Sequence, residues 1–191
     1  MRTIITLAAL VTLLPAAQGR ATAPALALDP VSSIAQFTVT KVGFADVTGR
    51  FTKMEGDMRW DPAAPETGFV RWRVAVASVV TEPGATNRDR ALQAPEYFDA
   101  ARHPWLAFES TGVQPLAPGR LEVAGNLTIR GTTRPITITV RHAGPPSAPI
   151  FETAFEVDRY DYGIVGGRVM SRLIGRTAYI YLKAVTKEPT S

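Results

Sequence analysis

Apolar and polar residues alternate along most of this chain with the period of two that a half-buried strand requires. The clearest run is Met54 to Trp60, where Met54, Gly56, Met58 and Trp60 fall on one face and Glu55, Asp57 and Arg59 on the other. Phe37 and Val39 oppose Thr38 and Thr40 in the same way, and Val70, Trp72, Val74, Val76 and Val80 are spaced for one long strand. Farther on, Leu121, Val123, Leu127 and Ile129 share odd positions while Ile136, Ile138 and Val140 share even ones, with Arg130-Gly131 between the halves. Glycine takes a positive φ without steric cost, so this stretch predicts a tight β-hairpin with one greasy face and one threonine-rich face. Phe151, Phe155 and Val157 set up another strand, and residues 177–185 the last.

Residues 86–94 lack the alternation and predict a short helix stopped by Pro95. The proline-rich breaks at 61–65 and 144–149 cannot continue a ladder and mark turns. Eight or more short strands, one helix and turns throughout predict an antiparallel barrel or sandwich. Periodicity does not choose between the two.

Residues 1–27 depart from this pattern. Met1-Arg2 precedes an apolar run from Ile4 to Leu14, too short to span a bilayer, and Pro15 leads into an alanine-rich segment. Small-residue cleavage sites can be read at Ala17-Gln18-Gly19 and at Ala25-Leu26-Ala27. The expectation is a secretory signal peptide over residues 1–27, cut between about residues 19 and 27, with one folded domain over 28–191 in the periplasm or outside the cell. An N-terminal membrane anchor is the alternative, and without a cysteine after the cleavage site a lipoprotein is excluded. The formal charge of +4 falls to +2 once Arg2 and Arg20 leave with the leader, and the remaining basic residues are scattered singly along strands. That argues against nucleic acid as a partner. The chain has no cysteine, which removes disulfides, thiolate metal sites and a cysteine nucleophile.

Four blocks of wording go beyond periodicity. The hairpin reads Gly125-x-Leu127-Thr128-Ile129-x-Gly131-Thr132-Thr133-x-Pro135-Ile136. Before it come Asp29, Ser33, Phe37, Gly43 and Gly49-Arg50-Phe51, then Arg88-Asp89-x-x-Leu92, Tyr97-Phe98-Asp99, Pro104 and Phe108-x-Ser110-Thr111; after it comes Arg159-Tyr160-Asp161-Tyr162-Gly163-Ile164. Together these blocks resemble the YceI-like family of secreted bacterial proteins. The resemblance implies an all-β fold, an antiparallel eight-stranded lipocalin-like β-barrel with one short helix, that binds a polyisoprenoid or related lipid. The chain departs from the family at Ser32, Lys41 and Ala91, where histidine is usual, and at Arg176 and Lys183, near which acidic residues are usual. No role of those histidines carries over.

On this reading Phe37, Met54, Met58, Trp60, Val74, Phe108, Leu127, Ile138 and Phe155 point into the barrel and form the candidate lipid-binding interior. Inward methionines are core filler, and their flexible thioethers also suit a loose lipid tail. Arg88 and Arg159 are candidates for meeting a phosphate or quinone head group, for which a guanidinium fork is well shaped. Salt bridges of these arginines with Asp89 and Asp161 are the structural alternative. Catalysis has few parts to draw on. His103 and His142 are the only histidines, far apart and expected in solvent, and the carboxylates Asp158 and Asp161 have arginines beside them. Neither a metal nor a cofactor is expected.

Three functions remain open: a carrier for an isoprenoid lipid or quinone, a secreted stress-response or interaction protein whose barrel is filled by its own side chains, and an enzyme acting on a lipid head group. Transient contact with a membrane or a membrane protein, and pairing into a homodimer, are compatible with the first.

Overall fold

The computed structural model describes residues 23–41, 46–167 and 173–188, so most of the expected leader and Gly43 lie outside the described residues. The strands are β1 (Ala25–Leu28), β2 (Ile34–Lys41), β3 (Val47–Phe51), β4 (Met54–Arg59), β5 (Phe69–Ala75) and β6 (Val79–Val80), followed by the helix α1 (Thr86–Leu92). Then come β7 (Trp105–Ala117), β8 (Arg120–Ile129), β9 (Thr132–Ala143), β10 (Ile150–Asp158) and β11 (Ile174–Lys187). All pairings are antiparallel. Because β1 pairs with β4 while β2 pairs with β3, and β4 pairs with β5 while β3 pairs with β6, the first six segments are three wall strands, each broken in the middle. With the five continuous strands they make eight, and β11 closes the ring on β1 and β2. The fold is a closed eight-stranded antiparallel barrel with one helix.

The breaks in the second and third wall strands have one cause. Ser78 Oγ accepts from the backbone N–H groups of Thr52 and Lys53, at 3.1 and 3.0 Å, and donates to the Ala75 carbonyl at 2.7 Å. A serine hydroxyl that bonds nearby backbone offers the chain an alternative to the ladder. Residues 76–78 accordingly form a 3₁₀ turn. This corrects the expectation of one long strand from Val70 to Val80. The turn shifts the period, so that Val79 is buried and Val80 is 40% exposed.

The hairpin forms as its pattern predicts, and its two-residue turn has positive φ at both positions, 50° at Arg130 and 73° at Gly131. That is the type I′ turn whose twist matches the strands it joins. Two inward glycines lie under aromatic rings: a methyl at Gly49 would collide with Phe37, and one at Gly125 with Phe108 and the Glu109 carbonyl. On the outer wall, charges are answered in pairs such as Arg73–Glu55 at 2.6 Å and Arg71–Glu109 at 3.0 Å.

Candidate functional site

The inward faces of the strands enclose a cavity of ≈ 230 Å³ whose lining is almost wholly apolar. Of the nine interior candidates, Phe37, Met58, Trp60, Val74, Phe108, Leu127, Ile138 and Phe155 line it. Met54 is buried but off the cavity, so it acts as core filler. Trp72 and Phe151, which share strand faces with Val74 and Phe155, line it too, as do Phe51, Phe98 and Tyr162, which the alternation did not single out. Phe98 was hard to find because it lies on the crossover after α1, outside any strand period, and only its place in the Tyr97-Phe98-Asp99 block marked it.

Aromatic groups sit toward both ends of the barrel. Phe37, Phe51 and Phe98 form a trio with ring centroids 5.8 Å apart pairwise, below the crossover that carries α1. Toward the opposite end Trp60 is only 4% exposed and packs edge-on to Phe151, with centroids 5.4 Å apart. His142 lies beside both rings, while the His103 imidazole packs against Gly131 of the hairpin turn. Both histidines are therefore half-buried in packing contacts, which corrects their expected place in solvent.

Buried polar groups of the wall are turned toward backbone. Ser110 Oγ accepts from the Val70 N–H at 2.9 Å, and Thr153 Oγ1 donates to the Thr139 carbonyl at 2.8 Å. Arg159, 5% exposed, donates from Nε to Gly175 O at 2.8 Å, from Nη1 to Ile164 O at 2.6 Å and from Nη2 to Ile174 O at 2.9 Å. By contrast, the indole N–H of Trp72 is buried without a hydrogen-bond partner. Burial also pushes the Tyr162 hydroxyl above the usual tyrosine range.

The two head-group candidates separate. Arg159 lines the cavity. Arg88 does not; it stands 42% exposed on α1 with its guanidinium 3.4 Å from Glu82, and Asp89 instead accepts from the N–H and hydroxyl of Thr81, at 2.9 and 2.8 Å. The carboxylates Asp158 and Asp161 pair with Arg176 at 2.6 Å and Arg134 at 3.4 Å. The N–H of Tyr160, and after it Arg176, hold the Asp158 carboxyl below the ordinary carboxylate range. No cluster of histidine and carboxylate groups suited to a metal occurs among the described residues.

A profile of the YceI-like domain matches residues 26–186, nearly the whole barrel. The chain belongs to the YceI-like family. This YceI-like protein is 30% identical over 133 residues to a UPF0312 protein of Ectopseudomonas mendocina, covering 69% of each chain. It is 29% identical over 134 residues to a UPF0312 protein of Azotobacter vinelandii, covering 67% of this chain and 69% of that one. Among solved structures it resembles Burkholderia cenocepacia BcnA with a TM-score of 0.76 at 21% identity, over 83% of this chain and 98% of that one. It also resembles a polyisoprenoid binding domain from Saccharophagus degradans implicated in plant cell wall breakdown, with a TM-score of 0.68 at 19% identity, over 86% of this chain and 98% of that one. At these identities the likeness to BcnA and to the Saccharophagus domain is one of fold.

Proposed function

We propose that this YceI-like protein is a binding or carrier protein for a polyisoprenoid or quinone-like lipid, held tail-first in the barrel. The observation that carries the reading is the apolar cavity of ≈ 230 Å³ inside a closed barrel. Its lining is almost wholly apolar, so the interior offers an occupant chiefly dispersion and release from water, worth about 25 cal/mol per Å² of apolar surface buried. The volume lies below the roughly 300–1,000 Å³ of pockets for drug-sized ligands, which favours a slim flexible chain over a bulky ring system. The likeness to a polyisoprenoid binding domain points the same way. The head group belongs near the barrel end where Arg159 adds a fixed positive charge beside Tyr162, and Arg88, paired with Glu82 away from the cavity, has no part in holding it.

The protein works in the periplasm or outside the cell after its leader is removed. Cleavage after Gly19 is the site compatible with the barrel, because Ala25, Leu26 and Ala27 pair with Arg59, Met58 and Asp57 in its wall. N-terminal sequencing of the exported protein checks this, and a mature chain starting at Leu28 would refute it.

Native mass spectrometry of the purified protein, before and after solvent extraction, tests the carrier reading. An extractable isoprenoid or quinone is the expected result. A barrel that leaves the cell empty and takes up neither farnesol nor all-trans-retinol would overturn it.

A further inference from the structure

We infer that the barrel is loaded through its side, by a lipid tail passing between β9 and β10; this rests on the carrier reading above. The ladder between these strands holds only three pairs, Ile150↔Ala143, Phe151↔His142 and Glu152↔Arg141. Both strands run on well past them. On their other sides the same strands are zipped throughout, β9 to β8 through ten pairs and β10 to β11 through nine.

Beyond Glu152 the contact passes to a side chain, the 2.8 Å bond from Thr153 Oγ1 to the Thr139 carbonyl. That bond shows that the Thr139 carbonyl faces β10. Backbone groups of every second residue in a strand point to the same neighbour, so Thr137 and Pro135 face β10 as well. Proline has no N–H to donate to a ladder and is confined to strand edges that lack a partner. Pro135 thus writes the split into the sequence.

The split opens on the cavity, since Ile138, Thr153, Phe155 and Val157 along its two margins all line it. Its upper end is clasped by residues of the hairpin. Arg134 Nε donates to the Asp161 carbonyl at 2.9 Å while Nη2 stands 3.4 Å from the Asp161 carboxylate, and Arg130 Nη1 donates to the Gly163 carbonyl at 2.7 Å. Between clasp and ladder lie Ala154 to Asp158, about five residues or roughly 16 Å of strand at about 3.3 Å per residue. Aromatic side chains occupy the barrel toward both ends, the Phe37–Phe51–Phe98 trio at one and Trp60 with Phe151 at the other. Along the seam a tail separates no backbone ladder.

The chain has no native cysteine, so the seam can be locked selectively. In an Arg134→Cys/Asp161→Cys variant, a short bismaleimide bridges the clasp, and uptake and release of all-trans-retinol are followed by its fluorescence. The expected result is exchange slowed by about tenfold or more in the cross-linked protein relative to the same variant before cross-linking. Pro135→Thr, which restores the missing N–H, should slow exchange without any cross-link and without loss of the fold by circular dichroism. Unchanged rates in both proteins would overturn the lateral route and assign loading to a barrel end. If the wild-type protein binds no retinol and yields no lipid on extraction, the carrier reading falls first and takes the route with it.

Discussion

Replacing Arg159 with methionine separates the scaffold role of this side chain from any head-group role. The methionine keeps much of the apolar stem but removes every donor. Three backbone carbonyls, those of Gly175, Ile164 and Ile174, then lose bonds of 2.8, 2.6 and 2.9 Å. A buried acceptor left without a partner costs about 1–3 kcal/mol, and carbonyls tolerate the loss better than N–H groups do. At about 1 kcal/mol each, the total is about 3 kcal/mol, a large part of the roughly 5–15 kcal/mol that holds a domain together. With a urea dependence of about 1–3 kcal/mol per M, the unfolding midpoint should fall by about 1–3 M. Arg159→Lys should recover part of this, because one ammonium group cannot follow the planar fork to three separated carbonyls. A midpoint within about 0.2 M of wild type, a small fraction of that range, would show that the carbonyls find other partners and that the reasoning is wrong. Binding of farnesyl phosphate and farnesol, measured without urea, supplies the second arm. If the Arg159 charge serves a head group, Arg159→Met loses preference for the phosphate, whereas an unchanged ratio alongside lost stability assigns the residue to scaffold alone.

Gly49→Ala should destabilise the barrel by about 1–3 kcal/mol, because the new methyl meets the Phe37 ring, and by much less in a Phe37→Leu background. Equal costs in the two backgrounds, read from urea curves, would mean that the ring is not what Gly49 accommodates. Trp72→Phe removes a buried N–H that has no partner, so in delipidated protein it should be neutral or stabilising by up to about 1 kcal/mol; a clear loss of stability would reveal an acceptor. Burial raises the Tyr162 pKa above the ordinary value of about 10, so the neutral phenol stabilises the fold below that pH. The contribution is lost as pH rises through the folded value, and Tyr162→Phe should flatten the alkaline limb of a stability-against-pH curve; an unchanged limb would exclude Tyr162 as its source.

What the sequence revealed depended on how local the deciding contact was. Inward positions of single strands were readable because the pleat fixes them, and eight of the nine named residues reach the cavity wall. The break after Ala75 was not readable, since Ser78 imposes it by bonding Thr52 and Lys53, residues far away in sequence. Phe98 reaches the interior from a crossover with no period of its own. The fates of Arg88 and Arg159 could not be told apart either: both stand beside an aspartate in sequence, yet one pairs with Glu82 and the other turns to carbonyls around Gly175. Pro135 was visible in the hairpin wording, but its consequence depends on which neighbour its backbone edge faces, a fact set by the register of β9 against β10.

That register also explains why the ladder can stop here at little cost. Unpaired backbone groups are costly only where they are shut away from water. At the β9–β10 seam Pro135 leaves no N–H to orphan, Thr153 supplies the Thr139 carbonyl with a donor, and Thr133, Thr137, Ala154 and Glu156 are exposed, so water reaches their side of the wall. Opening the β8–β9 ladder would instead break ten pairs and wet Leu121, Val123, Leu127 and Ile129, none more than 9% exposed. The same hairpin therefore seals one side of β9 with its apolar face and, through a single proline, leaves the other side free to part. A substitution that repaired the seam would be expected to strengthen the barrel and slow its traffic together, the trade that Pro135→Thr puts to measurement.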